Sequence, residues 1–424
     1  MKTREIQVAG PVSAIVRVPG SKSITNRALI CASLAKGESV IRNASDSDDT
    51  ALLANGLNQL GVLVRKSGND LLVEGTGGRL YAPKFPIPVG NAGTTLRFLV
   101  GLAAIAQGKV VFEGDLRMGE RPVSGLLDAL KMLGVDSQAN DFVARYAVMG
   151  GSLAGGLTRV RGDLSSQFVS SLLMVAPYAE RDVRIETEGN PVSEPYVKMT
   201  IAVMRMFGVE AAHDREGYLL QAGQRYKPST VSVEMDATGA SYFFAAAALT
   251  GGEVLVEKGE STSLQGDWRI LQLLEQMGCE AIETDAGIRL RNNRDLTGVD
   301  ADLRDAPDLV PTVAVLGLFA GGRTSIRNVP QLRHKESDRL QALASELRKL
   351  GSNVTLLDDG LEIQRTALHG AQLDVHDDHR LAMSFALIGL RVPGVRIENP
   401  DCVRKSFPGF WEEFGRLYES KHRA

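Results

Sequence analysis

Cysteine is scarce in this chain of 424 residues. Cys31, Cys279 and Cys402 are scattered, odd in number and without metal-ligand spacing. A disulfide framework is therefore excluded, and buried free thiols in a reducing compartment are expected. A large excess of one charge is also missing: 48 Lys and Arg oppose 51 Asp and Glu, for a net charge of −3. That argues against a broad nucleic-acid surface, so any anion site must be a local cluster. No apolar run is long enough to span a bilayer, and the start MKTREIQVAG resembles neither a signal peptide nor an Arg/Ser-rich transit peptide. The expectations are a cytoplasmic protein with no membrane or nucleic-acid partner. Hydrophobic content of 44% and charged content of 23% are ordinary for a globular protein. The chain is long for one core, so two domains are expected.

The stretch VPGSKSITNRALICASLAKG, residues 18–37, is the most chemically loaded. It is not a Walker phosphate loop. Ser21 separates Gly20 from Lys22, and no glycine lies four residues earlier. The anion physics survives the failed motif. Ser21 or Ser23 is expected to cap a helix that runs to Gly37. Free N–H groups at a helix start attract an anion, the dipole adding about 0.3–1 kcal/mol. Lys22 and Arg27 place two cations there.

The chain repeats itself. A turn followed by a small-residue helix begins near Gly20, Asn91, Asp163, Asp236, Asp305 and Asp378, about 72 residues apart. Each helix precedes a β-like run: ESVIRN, KVVFEG, DVRIET, EVLVEK, RTSIRN and GVRIEN. A second helix follows and ends in a glycine, as at Gly61, Gly134, Gly208, Gly278, Gly351 and Gly415. The pattern predicts an α/β fold of two similar domains, each of three repeated units. Residues 19–228 form the first. Residues 1–18 and 229–424 form the second, with EIQVAG crossing over to join it. Both crossings lie beside a helix start, so a hinge there would open and close a cleft. A solenoid that repeats only for packing does not explain why the polar exceptions gather at first-helix starts: Lys22, Ser23, Arg27, Asn91, Thr94, Arg97, Ser165, Ser166, Gln167, Asp236, Asp308, Asp378, His379 and Arg380.

PGSKSITNRAL, GNAGTTLRFL, GERPV, SSQFVSSLLM, PDLVPTVAVL, RHKESDRL, DDHRLAMS and RKSFPGFWE occur in order along nearly the whole chain. In that register the sequence resembles the 5-enolpyruvylshikimate-3-phosphate synthases of the enolpyruvyl transferase family. The resemblance implies an inside-out α/β barrel in each domain, with the active site in the inter-domain cleft. It implies transfer of the enolpyruvyl group of phosphoenolpyruvate to shikimate 3-phosphate, with no metal and no organic cofactor, by a monomer. Both substrates carry a phosphate and a carboxylate, so a slightly acidic protein must gather cations, Arg for bidentate grip and Lys as a point charge.

By the same resemblance, Lys22, Ser23, Arg27, Ser165, Ser166, Gln167, Ser193, Asp308, Gln331 and Lys335 hold shikimate 3-phosphate, with Tyr196 nearby. Lys22, Gly93, Arg121, Gln167, Arg339, Arg380 and Lys405 hold phosphoenolpyruvate. Asp308 matches the base on the 5-hydroxyl and Glu336 the acid–base residue at carbon, with Lys22 assisting. Burial would raise the pKa of Asp308 and Lys335 would lower it; the sequence leaves the net direction open. Lys22→Ala and Arg27→Ala are each expected to lose most activity while the fold survives.

Other readings of these residues are less chemical. HKESDR alone reads as an exposed helical charge run. HDDH, residues 376–379, fits no strong metal pattern, and helix capping by Asp378 is expected. SDSDDT lacks the Gly and Glu of a calcium loop and reads as a turn and cap. Phe98 stands where many relatives have Pro, which bears on the response to glyphosate, an inhibitor in this family. Gln331 replaces a common Asn, and MDATGAS departs from the usual GDxSSAS. The rivals are UDP-N-acetylglucosamine enolpyruvyl transferase and a non-catalytic anion-binding repeat protein. The first typically has Lys-Asn where Lys22-Ser23 stands here, and commonly a Cys in the loop holding GDLRMGERP.

Overall fold

Six helices carry no acidic residue and are buried almost all round: Lys22–Leu34, Gly93–Ala103, Ser166–Val175, Ala237–Thr250, Val310–Gly317 and His379–Gly389. A helix that is apolar on every side belongs inside a core. Their few Lys, Arg and His side chains, Lys22, Arg27, Arg97, His379 and Arg380, all lie in the first two turns. In a computed structural model describing residues 2–258 and 263–422, the chain divides into two compact units, residues 20–234 and residues 1–19 with 235–424.

Each unit is built from three of those helices and three sheets. In residues 20–234 the sheets are four-stranded. Each has a parallel pair, such as Ile87–Gly90 with Gly108–Gly114, flanked by an antiparallel hairpin, here Asp136–Asn140 and Arg145–Gly150. Where the parallel strands are neighbours in sequence the core helix sits in the crossover between them, as parallel pairing demands; Thr230–Ser232, which pairs with Lys36–Arg42, instead comes from the far end of the unit. The other unit repeats this twice and ends in a three-stranded sheet. Its core helices meet through hydroxyls: Ser241 lies 3.5 Å from Thr312, which lies 3.4 Å from Ser384. All three are fully buried, and each hydroxyl gains a polar neighbour inside an apolar centre.

All six β-like runs are strands. Five of the six repeat glycines have positive φ after their helices; Gly415 instead lies inside helix Phe410–Gly415. The boundaries differ from those read in the sequence. Residues 229–234 stay with the first unit, because strand Thr230–Ser232 pairs in parallel with Lys36–Arg42. Pro19 lies with the second unit. EIQVAG is not one strand: Thr3–Glu5 pairs with Arg396–Glu398, and Ser13–Val16 pairs with Glu253–Glu257. The first helix stops at Leu34 and Gly37 lies in the next strand. Ser21 occupies the N-cap without a side-chain capping bond. Gly20 is required sterically, since a Cβ there would fall 1.8 Å from the Asn43 carbonyl oxygen.

Candidate active site

In residues 20–234 the three helix starts are tied together by polar side chains. Lys22 Nζ bonds Asp49 Oδ2 at 2.8 Å, and Thr95 Oγ1 donates to the Asp49 carbonyl. Gln167 Nε2 donates to Thr94 Oγ1 and its Oε1 accepts from Arg97 at 2.8 Å. Arg121 donates to both oxygens of Asn91 at 2.8 Å. Gly93 lies against two guanidinium groups: a Cβ there would come 2.5 Å from Arg121 Nη2 and 2.6 Å from Arg97 Nη1. Ser165 caps its helix by accepting from Gln167 N, with Ser166 behind it. None of these helices has an acid in its first turn. Three helix starts without an acid of their own thus gather Lys22, Arg97 and Arg121, and Lys22 is paired with Asp49.

Arg27 is 2% exposed, an unusual depth for a guanidinium. It donates to Thr200 Oγ1 at 2.7 Å, to the Ser23 carbonyl at 2.8 Å, and to Ser170 Oγ and the Tyr196 carbonyl. Its carbon lies 5.3 Å from the Phe98 ring centre and 5.9 Å from that of Tyr196. Burial pushes its pKa down to about 10, so it stays charged at neutral pH. Four donor bonds leave one of its five N–H groups for a ligand. Ser193 is held nearby in the chain at φ 58°, its carbonyl accepting from Tyr196 N.

The other unit presents the opposite balance. Each of its helix starts is preceded by an acid: Asp236 and Asp378 are N-caps, and Asp308 sits in the 3-10 turn Pro307–Leu309. Arg339, 1% exposed, bonds three carboxylates: Asp378 at 2.7 Å, Asp308 at 2.8 Å and Glu336 at 2.9 Å. Arg380 reaches Asp308 Oδ2 at 3.1 Å and the Tyr242 hydroxyl at 3.4 Å. Burial raises the pKa of Asp308, but Arg380, Arg339 and Lys335 together outweigh it and hold the carboxyl well below the usual range. That settles the direction left open by the sequence. Burial pushes the Tyr242 hydroxyl up to about 12.

This cluster brings together Asp308, Lys335, Glu336, Arg339 and Arg380. Lys405 ends the 3-10 segment Pro400–Lys405, which packs against helix His379–Gly389. Gln331 instead directs its amide nitrogen at the Arg304 carbonyl, 3.4 Å away, with its buried Oε1 unpartnered. HKESDR is not an exposed helical run. Asp338 caps helix Arg339–Arg348 by accepting from Gln341, and Glu336, Ser337 and Arg339 are buried. Asp378 does cap its helix, and it also grips Arg339 and accepts from Ser337. Asp49, Thr200, Ser170 and Tyr242 were not singled out as partners in the sequence, since each meets its cation through tertiary contact. Among the described residues no three or more His, Cys, Asp or Glu are arranged to hold a metal. No described helix is long and apolar enough to cross a membrane.

The profile of the family described as EPSP synthase (3-phosphoshikimate 1-carboxyvinyltransferase) matches residues 6–414. The chain is 46% identical over 419 residues to the 3-phosphoshikimate 1-carboxyvinyltransferase of Syntrophobacter fumaroxidans, covering 98% of this chain and 99% of that protein. Identity to the protein of the same name from Methanospirillum hungatei is 42%, covering 97% of both. The solved EPSP synthase of Acinetobacter baumannii superposes with a TM-score of 0.82 at 25% identity, covering 99% of this chain and 98% of that one.

Proposed function

The chain belongs to the EPSP synthase family, the 3-phosphoshikimate 1-carboxyvinyltransferases, and from that premise we propose how its residues divide the reaction. The enzyme transfers the enolpyruvyl group of phosphoenolpyruvate to the 5-hydroxyl of shikimate 3-phosphate by addition and elimination, releasing phosphate, in aromatic amino acid biosynthesis. Our reading is that residues 20–234 chiefly gather anions, while the carboxylates of the other unit move protons. The observation that supports it is the contrast in helix starts: acid-free with Lys22, Arg27, Arg97 and Arg121 in one unit, and preceded by Asp236, Asp308 and Asp378 in the other.

Arg27 offers its remaining N–H to the shikimate phosphate, with Ser23, Ser165, Ser166 and Ser193 as neutral donors that add geometry without charge. Lys335 completes that set, which Gln331 joins only if its amide nitrogen turns from the Arg304 carbonyl. Lys22, Arg121 and Lys405 take the phosphate of phosphoenolpyruvate, and Arg339 and Arg380 its carboxylate, with Gln167 between the substrates. Asp308 accepts the 5-hydroxyl proton as that oxygen bonds to C2 of phosphoenolpyruvate. Glu336, with Lys22 assisting, gives a proton to C3. The tetrahedral ketal phosphate then returns a C3 proton to Glu336 as the C2–O bond to phosphate breaks, restoring the enol ether.

The guanidinium groups also time the base. Arg339 and Arg380 keep Asp308 ionised and weakly basic. A substrate carboxylate arriving on them takes over part of their charge. The proton affinity of Asp308 therefore rises as the site fills, toward the range where a general base works best.

A phosphate-release assay tests the activity. Release is expected with shikimate 3-phosphate plus phosphoenolpyruvate. Release only with UDP-N-acetylglucosamine as acceptor, or none with either, would contradict it. Gly93→Ala is expected to raise KM for phosphoenolpyruvate about tenfold, because the new methyl group displaces Arg121 and a misplaced charge-assisted bond is worth about 1.5–3 kcal/mol. KM for shikimate 3-phosphate should change little. Equal phosphoenolpyruvate kinetics in the two proteins would count against Arg121 as a phosphate ligand.

A further inference from the structure

The segment 374–378 is fastened to helix Arg339–Arg348 at two places. At one end the Asp374 amide donates to Glu346 Oε2 at 2.9 Å, and His376 Nε2 lies 3.5 Å from Glu346 Oε1. At the other end Asp378 grips Arg339. Between them the chain makes a tight turn: Asp378 N donates to the Val375 carbonyl at 2.8 Å, and both central residues have positive φ, His376 at 49° and Asp377 at 55°. Two consecutive left-handed residues define a type I′ turn, which normally takes Asn-Gly. This one contains no glycine, so its conformation is held from outside. His376 N donates to Asp374 Oδ1 at 2.7 Å, and Asn399 Nδ2 donates to Asp377 Oδ1 at 2.8 Å. The turn leads directly into the helix that carries Arg380.

We propose that His376 is a positioning residue for phosphoenolpyruvate: clamped against Glu346, it holds the strained turn that delivers Asp378 to Arg339 and sets the start of the helix bearing Arg380. The proposal rests on the assignment of Arg339 and Arg380 to that substrate. The charged groups facing the imidazole are Glu346 and Lys349 from helix Arg339–Arg348 and its C-cap, and Asp374, 3.6 Å away on its own segment. The Glu346 contact raises the His376 pKa above its ordinary value, Asp374 adds to it, and partial burial and Lys349 oppose it. A raised folded-state pKa means that the clamp is complete below about pH 6.5 and loosens as pH rises through the folded value.

The test is KM for phosphoenolpyruvate from pH 6 to pH 9 in the unmodified enzyme, His376→Gln and Glu346→Gln. At pH 6 each variant is expected to raise it about threefold to fivefold, the size of a half-exposed ion pair. KM for shikimate 3-phosphate should stay unchanged. The ratio of variant to unmodified KM should fall toward unity by pH 9, where the unmodified imidazole has also lost its charge. A merely structural role would give a pH-independent ratio, and that result, or no change in KM in either variant, overturns the proposal. Arg380→Ala separates the two layers. If it leaves KM for phosphoenolpyruvate unchanged, the site assignment fails and the proposal with it. If it raises KM while His376→Gln and Glu346→Gln do not, only the positioning role fails.

Discussion

Asp308→Asn is expected to lower kcat about a thousandfold, within the usual contribution of a positioned general base, without weakening the binding of phosphoenolpyruvate. Asn keeps an oxygen for Arg339 and removes the negative charge that Arg339 and Arg380 now share. Those guanidinium groups then meet a substrate carboxylate with less competition, so equilibrium binding should be equal or tighter. Steady-state phosphate release combined with a binding titration checks both halves. A kcat within about tenfold of the unmodified enzyme would remove Asp308 from the role of base. The charge has a second, pH-dependent signature. Its folded pKa is depressed, so Asp308 contributes stability above its unfolded value of about 4, and that contribution is lost as pH falls through the folded value. The unmodified protein should therefore melt above Asp308→Asn at pH 7, and the gap should narrow in acid. A gap that widened in acid would contradict the sign.

Arg27→Ala is expected to raise KM for shikimate 3-phosphate about a hundredfold, the upper range for losing a charge-assisted bond to a phosphate. It should also lower the melting temperature, while the fold survives. The side chain is buried between Phe98 and Tyr196, and its removal takes a charged donor from Thr200, Ser170 and two carbonyls, leaving Thr200 bonded to Ser170 and the Tyr196 carbonyl around a cavity. A hydrogen bond to a charged group contributes about 1.5–3 kcal/mol. Arg27→Lys separates the effects. It keeps the charge and most of the volume but not the planar fork, so it should recover much of the stability and less of the substrate affinity. Phosphate-release kinetics and thermal melts of both variants decide the matter. Unchanged KM in Arg27→Ala would place shikimate phosphate elsewhere.

The architecture was legible because its signals are local. Acid-free apolar helices, β-rich runs and terminal glycines recur at one spacing, and each reports on a few neighbouring residues. Cations at helix starts were legible for the same reason. Partners were not. SDSDDT reads as a cap, and Ser47 does cap that helix, but nothing near it in sequence reveals that Asp49 faces Lys22. HKESDR has the composition of a solvated helix; the Asp338 cap begins the helix at Arg339 and leaves Lys335, Glu336 and Ser337 outside it. Residues after Pro228 look like a linker, yet three of them pair with a strand near the start of the chain. In each case a long-range contact overrode a sound local reading.

The sheet made by Thr3–Glu5 with Arg396–Glu398 joins the two extremities of the chain, and Lys2 and Asp401 beside it are bonded across 399 positions. Residues 20–234, by contrast, find every sheet partner within one unbroken stretch. During synthesis residues 20–234 thus emerge with all their strand partners while the other unit still lacks Arg396–Glu398. Contacts of such high order are slow to form, and deleting the first few residues should leave the early half folded while the late half fails to close.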